Sequence, residues 1–237
     1  MKKVKILLTM LVVFMTAASA NAIDIQFLPK TPGGLEIRAY PDYKNLIGWE
    51  ANIYNNPRLL QIGSAALGIK CDVRPISGDR PTGVDFKTIN FNLWPEISYD
   101  IDSAQTVTFG WYHWSEHWYH RDKDWLMNIN MLAADYKRKT KTDTLYAFIG
   151  DNYDGDNYPI TWLAKVAYQR KFLKYLEPGV FETAFRYDKK TLFLTDIQLA
   201  VNFKDKYSII GGYKIGSAPM IMLQPTGPYW GFVWHWK

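Results

Sequence analysis

The sequence predicts an all-β protein, a single antiparallel up-and-down transmembrane β-barrel of about twelve strands. Apolar and polar residues alternate along most of the chain, which is the pattern of strands with two different faces. Many alternating segments run for roughly ten residues or more, the length that a tilted strand needs to cross the hydrocarbon. Short and long connections broadly alternate, as they do on the two sides of a bacterial outer-membrane barrel. A ten-stranded barrel is the main alternative, and a soluble barrel with its apolar face inward is the competing architecture.

The first 22 residues form a predicted signal peptide. Lys2, Lys3 and Lys5 precede an apolar run over residues 6–15, and Ala20-Asn21-Ala22 supplies a small-x-small cleavage site. The barrel is therefore expected over residues 23–237 of an exported protein. Losing three lysines reduces the 28 Lys and Arg residues to 25, against 23 Asp and Glu residues. The mature net charge is then +2, which gives no charge-driven case for nucleic-acid binding.

The single cysteine and the apolar runs exclude a disulfide, a thiolate metal site and a membrane-spanning helix. Cys71 is the only cysteine, so no intramolecular disulfide forms and a thiolate metal site is excluded. After the leader no apolar run reaches about 18 residues, the length of a membrane-spanning helix.

Twelve strands follow from the alternation. They are predicted near residues 34–41, 46–54, 59–71, 84–101, 105–119, 126–138, 143–151, 160–171, 178–187, 191–203, 206–216 and 229–236. Pro95 is expected to bend or split its segment, and a short turn is expected at Asn55-Asn56-Pro57.

The apolar face of each strand is expected to point to lipid and the polar face to the lumen. On this rule Phe181 and Phe185 face outward. The predicted lumenal residues line a pore or pair with one another and plug it: Glu50, Asn90, Lys165, Gln169, Glu182, Arg186 and Gln198.

The last strand carries a targeting pattern. Trp230, Phe232, Trp234 and Trp236 alternate up to the terminal Lys237. This resembles the C-terminal signature of bacterial outer-membrane barrels, although in them the terminal residue itself is aromatic. The resemblance implies an outer-membrane location and recognition of the strand by the barrel assembly machinery.

The segment Thr106 to Trp125, TVTFGWYHWSEHWYHRDKDW, carries the candidate chemistry. By parity His113 and Ser115 share the outward face, where side chains at i and i+2 lie about 6.5 to 7 Å apart. This is the minimum geometry for a serine activated by a histidine base. The competing interpretation is an interfacial belt of Trp, Tyr and His in which Ser115 has no chemical role.

Tyr112-His113-Trp114-Ser115 resembles the His-x-Ser motif of outer-membrane phospholipase A, a twelve-stranded barrel, and the similar motif of lipid A 3-O-deacylases. The resemblance implies hydrolysis of an outer-membrane lipid ester, with Ser115 as nucleophile, His113 as general base and a possible calcium cofactor. It also departs from the phospholipase pattern, because Glu116-His117 replaces an Asn-Gly and Leu126 replaces an asparagine.

The residue that orients His113 is harder to predict. Ile129 and Met131 are expected to face outward, which would point Asn128 and Asn130 into the lumen. Asp124, in the loop after the strand, is then the candidate third catalytic residue.

Two further alternatives stay open. Three histidines of the segment are candidates for a metal site, but i and i+4 on a strand lie about 13 Å apart, so coordination needs a chain bend: His113, His117 and His120. A non-enzymatic barrel with a role in surface structure, adhesion or narrow permeation is the alternative function. The sequence makes no prediction of oligomeric state.

Overall fold

The computed structural model describes residues 25–40, 48–77, 86–118, 125–154, 160–187, 189–203, 206–216 and 226–236. In these ranges the chain forms β-strands joined by turns, and no helix there is long and apolar enough to cross a membrane. The predicted signal peptide, His120 and Asp124 lie outside the described residues.

Fourteen strands are described, and twelve of them close into one antiparallel ring. The ring runs β2, β3, β5, then β6 through β14 in sequence order, and β14 pairs with β2. The prediction of about twelve strands is confirmed and the ten-stranded alternative is wrong. The strands are β1 (Ile25–Lys30), β2 (Gly33–Ala39), β3 (Trp49–Asn55), β4 (Arg58–Ile62), β5 (Ala65–Ser77), β6 (Phe86–Asp100), β7 (Gln105–Trp118), β8 (Trp125–Lys139), β9 (Asp143–Asp154), β10 (Ile160–Arg170), β11 (Leu176–Tyr187), β12 (Lys190–Phe203), β13 (Tyr207–Gly216) and β14 (Gly227–Trp236).

The first hairpin extends beyond the ring. β3 and β4 form one interrupted strand, because both pair with β5. On the other side of this interrupted strand, β2 pairs with β3 and β1 pairs with β4. The interruption lies at Asn56-Pro57, where the Asn56 backbone N–H donates a hydrogen bond to the Pro32 carbonyl oxygen at 2.8 Å. The predicted turn at this position is therefore wrong. The chain reverses later, at Gly63, whose φ of 56° suits glycine.

Pro95 does not split β6. The strand continues to Asp100, with Pro95 opposite Ile69 on β5, while the paired residues with β7 skip from Leu93 to Glu96. The proline therefore interrupts the pairing of β6 with β7 locally, while β6 itself continues through it.

The up-and-down order places the connections at two ends. The tight turns near residues 63–64, 101–104, 140–142 and 171–175 share one end, here named the turn end. The β7–β8 and β9–β10 connections lie at the other, named the loop end. Each strand therefore has a known direction relative to these two ends.

The outer wall is apolar around the whole ring. Each of the twelve barrel strands exposes at least one large hydrophobic side chain: Ile37, Ile53, Leu67, Phe91, Phe109, Leu132, Ile149, Val166, Val180, Ile197, Ile209 and Trp230. A continuous apolar wall of this extent suits lipid and not water. The structure therefore supports a membrane-spanning barrel over the soluble alternative.

Paired charges fill part of the lumen. Glu50 is 5% exposed and accepts hydrogen bonds from Tyr40 at 2.6 Å, from Lys214 at 3.2 Å and from Arg74. Arg38 reaches across to Asp196 at 3.0 Å. The cavity among these groups, of about 190 Å³, is lined by Arg38, Glu50, Arg74, Asp196 and Lys214. Glu50 is thus paired in the lumen, but with residues outside the predicted lumenal set.

Apolar side chains fill the lumen on the β6–β11 side. They form one buried cluster: Trp94, Tyr112, Trp114, Ile129, Met131, Ala133, Phe148, Ile160, Leu163 and Phe185. Gly110 makes room for this cluster, because a Cβ at that position would lie 2.1 Å from the Trp94 Nε1 atom.

The predicted orientation of β11 is wrong because of this apolar filling. Phe185 is 2% exposed and lies in the lumenal cluster, while Phe181 lines the lumenal cavity. Glu182 instead faces outward, opposite Thr195, whose hydroxyl donates to the Glu182 carboxylate at 2.5 Å. Arg186 is exposed. By contrast, Glu50, Asn90 and Gln198 are buried in the lumen as predicted.

Candidate functional site

The site lies on two neighbouring rungs of the β7–β8 ladder. His113 is opposite Asn130 on one rung, and Ser115 is opposite Asn128 on the next. Residues directly opposite each other in a sheet share a face. All four side chains therefore lie on the outer wall, which is where parity places His113 and Ser115.

The predicted orientation of the two asparagines is wrong. Ile129 and Met131 are fully buried in the lumenal apolar cluster, so the even positions of β8 face outward. Asn128 is exposed and Asn130 is half-buried on the outer wall. The apolar lumen reverses the rule that apolar residues face lipid on this part of β8.

Asn130 holds the imidazole of His113. His113 Nδ1 lies 2.8 Å from Asn130 Oδ1. An amide oxygen only accepts, so Nδ1 donates in this contact, and the neutral ring then carries its lone pair on Nε2. That is the tautomer in which Nε2 can accept a proton from a hydroxyl.

Ser115 lies beside this pair and is covered by its neighbours. It is 6% exposed and lies between Phe91 on β6 and Asn128 on β8. Within the described part of the chain the Ser115 hydroxyl makes no hydrogen bond, and His113 is bonded through Nδ1 alone. A nucleophilic step therefore requires the hydroxyl to rotate toward Nε2, a contact that often tightens only when substrate binds.

Aromatic rings flank the site along the strand direction. The Trp111 ring lies 5.4 Å from the His113 ring, tilted by 34°, and the His117 ring meets Phe91 edge-on at 5.4 Å. Phe109, further toward the turn end, is 45% exposed. The polar cluster therefore has apolar and aromatic side chains beside it on the outer wall.

The site lies near the loop end of the barrel. Ser115 follows the first residue of β7, Gln105, by ten positions, which is a height of about 23 Å for a rise of about 3.3 Å per residue and a tilt of about 45°. The apolar band of such barrels is about 25 Å tall. Ser115 therefore lies close to one lipid interface.

Metal ligands are not assembled in the described ranges. No group of three or more His, Cys, Asp or Glu side chains there is placed to hold a metal ion. The predicted contributions of His120 and Asp124 lie outside these ranges. Asn130, which the alternation on β8 placed in the lumen, is the residue that contacts His113.

Scans of protein-family models and of curated proteins found no match to this chain. Solved structures do match. The KdgM porin in complex with disordered oligogalacturonate is similar over 87% of this chain and 99% of that chain, with 9% identity and a TM-score of 0.57. The fold is that of an outer-membrane β-barrel.

Two phospholipase structures are similar to the same extent. An asparagine-to-alanine active-site mutant of Escherichia coli outer membrane phospholipase A matches over 93% of this chain and 95% of that chain, at 10% identity and a TM-score of 0.58. The Salmonella typhi phospholipase dimer with bound calcium matches over 92% and 94%, at 10% identity and a TM-score of 0.56. Because a porin and an enzyme share this fold, the fold does not decide the function.

Proposed function

We propose that the protein hydrolyses acyl esters of outer-membrane lipids on the outer wall of its barrel. The observation that carries the proposal is the 2.8 Å contact of His113 with Asn130, one rung from Ser115, on a wall whose exposed neighbours include Phe91, Phe109 and Leu132. Polar side chains on a lipid-facing wall are costly and mark functional sites by default.

Ser115 acts as nucleophile and His113 as general base. The Ser115 oxygen bonds the ester carbonyl carbon while its proton passes to His113 Nε2. The tetrahedral intermediate then breaks the bond to the leaving alcohol, which takes that proton and departs. Water attacks the acyl-serine with His113 again as base, which releases the fatty acid and restores Ser115.

Asn130 takes the orienting role for which Asp124 is the sequence candidate. Its amide oxygen fixes the His113 tautomer and ring plane without adding a charge to the lipid-facing wall. An asparagine belongs to the active site of Escherichia coli outer membrane phospholipase A, which supports an asparagine in this role.

The substrate class follows from the position of the site. An acyl ester of a membrane lipid lies just below the interface, and Ser115 lies at about that height on the outer wall. Substrate reaches the serine by lateral diffusion, with its acyl chain along the exposed apolar side chains of the wall, such as Phe109. Phospholipid and lipid A both carry such esters.

We further propose that the turn end is periplasmic and that the aromatic final strand is recognised by the barrel assembly machinery. β14 closes the ring with alternate aromatic residues on its outer face, among them Trp230, Phe232 and Trp234. Calcium is a candidate cofactor because the Salmonella typhi phospholipase dimer binds it. The described residues include no group of three or more His, Cys, Asp or Glu side chains placed to hold it, and the roles given above are those of Ser115, His113 and Asn130.

A narrow pore is the second candidate, favoured by the similarity to the KdgM porin. The paired charges around Glu50 and the apolar cluster around Trp94 oppose free passage through the described lumen. Conductance in planar bilayers measures this directly.

The test of the proposal compares refolded wild type, Ser115→Ala and His113→Ala on mixed micelles of phospholipid or lipid A, each with calcium and with chelator. Ser98→Ala is the matched control, because Ser98 is equally buried but lies in the lumen. We expect fatty-acid release from wild type and from the control, and loss of release from the two site variants. Equal fatty-acid release from wild type and Ser115→Ala, or no release from wild type, would contradict the serine mechanism.

A further inference from the structure

Stabilisation of the tetrahedral oxyanion is a requirement that the Ser115, His113 and Asn130 set does not meet. Serine hydrolases commonly use backbone N–H groups for it. Here β7 is paired on both sides along the site, with Ser115 opposite Phe91 on β6 and opposite Asn128 on β8. A strand flanked on both sides has its N–H groups engaged in the two ladders. The donor must therefore be a side chain.

Among the outward neighbours of Ser115 within the described residues, one side-chain donor lies directly opposite the serine. His113 is the proposed base, Asn130 is bonded to it, and the His117 ring packs edge-on against Phe91. Phe91 itself has no hydrogen-bond donor. That donor is Asn128, which is exposed on the outer wall and whose amide makes no hydrogen bond in the described structure.

We propose that the Asn128 side-chain amide is the oxyanion donor of the site, an inference that rests on the proposed hydrolysis. Cβ atoms of directly opposite residues lie about 4.5 to 5.5 Å apart, so the amide of Asn128 reaches the carbonyl oxygen of an ester whose carbon contacts Ser115. When the Ser115 oxygen bonds that carbon, the carbonyl π electrons move to the oxygen. Asn128 Nδ2 then donates a hydrogen bond to the resulting negative charge.

The two rungs then divide the chemistry. The Ser115–Asn128 rung binds the ester and its oxyanion, while the His113–Asn130 rung accepts and returns the proton. A lipid-exposed amide with no protein partner is unfavourable in the free protein, and a substrate carbonyl satisfies it. In an apolar wall such a donor is worth more than in water, because no solvent competes for the charge.

The test is steady-state hydrolysis of phospholipid in mixed micelles by Asn128→Ala and Asn128→Asp. We expect kcat to fall about 10²- to 10³-fold for Asn128→Ala with KM little changed, the effect of losing one oxyanion donor. Asn128→Asp keeps the side-chain shape but places a carboxylate against the oxyanion, so its kcat falls at least as far. Ile197→Ala, at an exposed position of β12 on a distant part of the wall, is the control and stays within a few-fold of wild type.

A second measurement avoids turnover. Phosphonylation of Ser115 by a p-nitrophenyl alkylphosphonate passes through a similarly charged transition state, so both Asn128 variants should react more slowly than the control. Heat-modifiable gel migration verifies that each variant is a folded barrel.

The outcomes separate the two proposals. Wild-type activity with Asn128→Ala or Asn128→Asp within threefold of wild type overturns the oxyanion role alone. A raised KM at unchanged kcat also overturns it, because that result describes a contact for substrate binding only. Inactive wild type with unlabelled Ser115 overturns the proposed function, and the oxyanion role with it.

Discussion

Replacing Asn130 by alanine tests the contribution of histidine orientation. The substitution removes the Oδ1 atom that lies 2.8 Å from His113 Nδ1 and leaves Ser115 in place. The imidazole then loses the partner that fixes both its ring plane and its tautomer. The ring can then adopt the tautomer with its proton on Nε2, and in that tautomer Nε2 cannot accept the serine proton.

The size of the effect follows from that one contact. A neutral hydrogen bond contributes about 0.5 to 1.5 kcal/mol net, and an unsatisfied partner costs about 1 to 3 kcal/mol. Each 1.36 kcal/mol is a factor of ten in rate. A loss of about 1 to 2 kcal/mol therefore reduces kcat about 5- to 30-fold. Asn130→Asp offers the same acceptor to Nδ1–H and is expected to retain more activity than Asn130→Ala.

The assay is fatty-acid release from mixed micelles, accompanied by ¹⁵N spectra of His113. The spectra distinguish orientation from a merely structural effect, because only loss of orientation changes the protonated nitrogen of the ring. We expect wild type to release most, followed by Asn130→Asp, Asn130→Ala and Ser115→Ala in that order. Unchanged activity and an unchanged imidazole tautomer in Asn130→Ala would refute the orienting role.

Three further predictions concern the stability of the barrel, measured by urea unfolding in lipid vesicles. Glu182→Leu removes a carboxylate from the lipid-facing wall and should raise the free energy of unfolding by about 1 kcal/mol or more; an unchanged or lower value contradicts this placement. Glu50→Ala leaves lumenal cations without their shared carboxylate and should lower the free energy of unfolding by about 3 to 5 kcal/mol, whereas a change below about 1 kcal/mol would show that the network is weakly coupled. Gly110→Ala forces a Cβ against Trp94 and should cost about 1 to 3 kcal/mol with a shift in tryptophan fluorescence; unchanged fluorescence and stability would contradict this close packing.

The ring of strands was predictable because its signal is spread over the whole chain. Alternation repeats in every strand, so a local error does not change the count. The interrupted first hairpin was less predictable, since Asn56-Pro57 has the composition of a turn although the chain continues past it beside β5. The register between neighbouring strands decides that question, and register is a property of two segments together.

The site was predicted in part for a related reason. Parity on β7 is clear from Phe109 and Trp111 and gives the correct face for His113 and Ser115. On β8 the apolar side chains near the loop end belong to the lumenal cluster, so apolarity no longer indicates lipid. The half of β8 near the turn end indicates the orientation of the strand more clearly. Asp135 pairs with Lys70 in the lumen at 2.9 Å, and because it has the same parity as Ile129 and Met131, those residues face the lumen as well.

The closing seam of the ring has a consequence for the order in which the barrel forms. β14 pairs with β2 through residues at opposite ends of the chain, such as Trp236 with Gly33, whereas the β7–β8 hairpin needs only a short loop closure. Distant pairing is slow and local pairing is fast. We therefore expect the Ser115 face to form while the wall is still an open sheet. A chain lacking β14 should retain the hairpin but present two unpaired edges to the membrane.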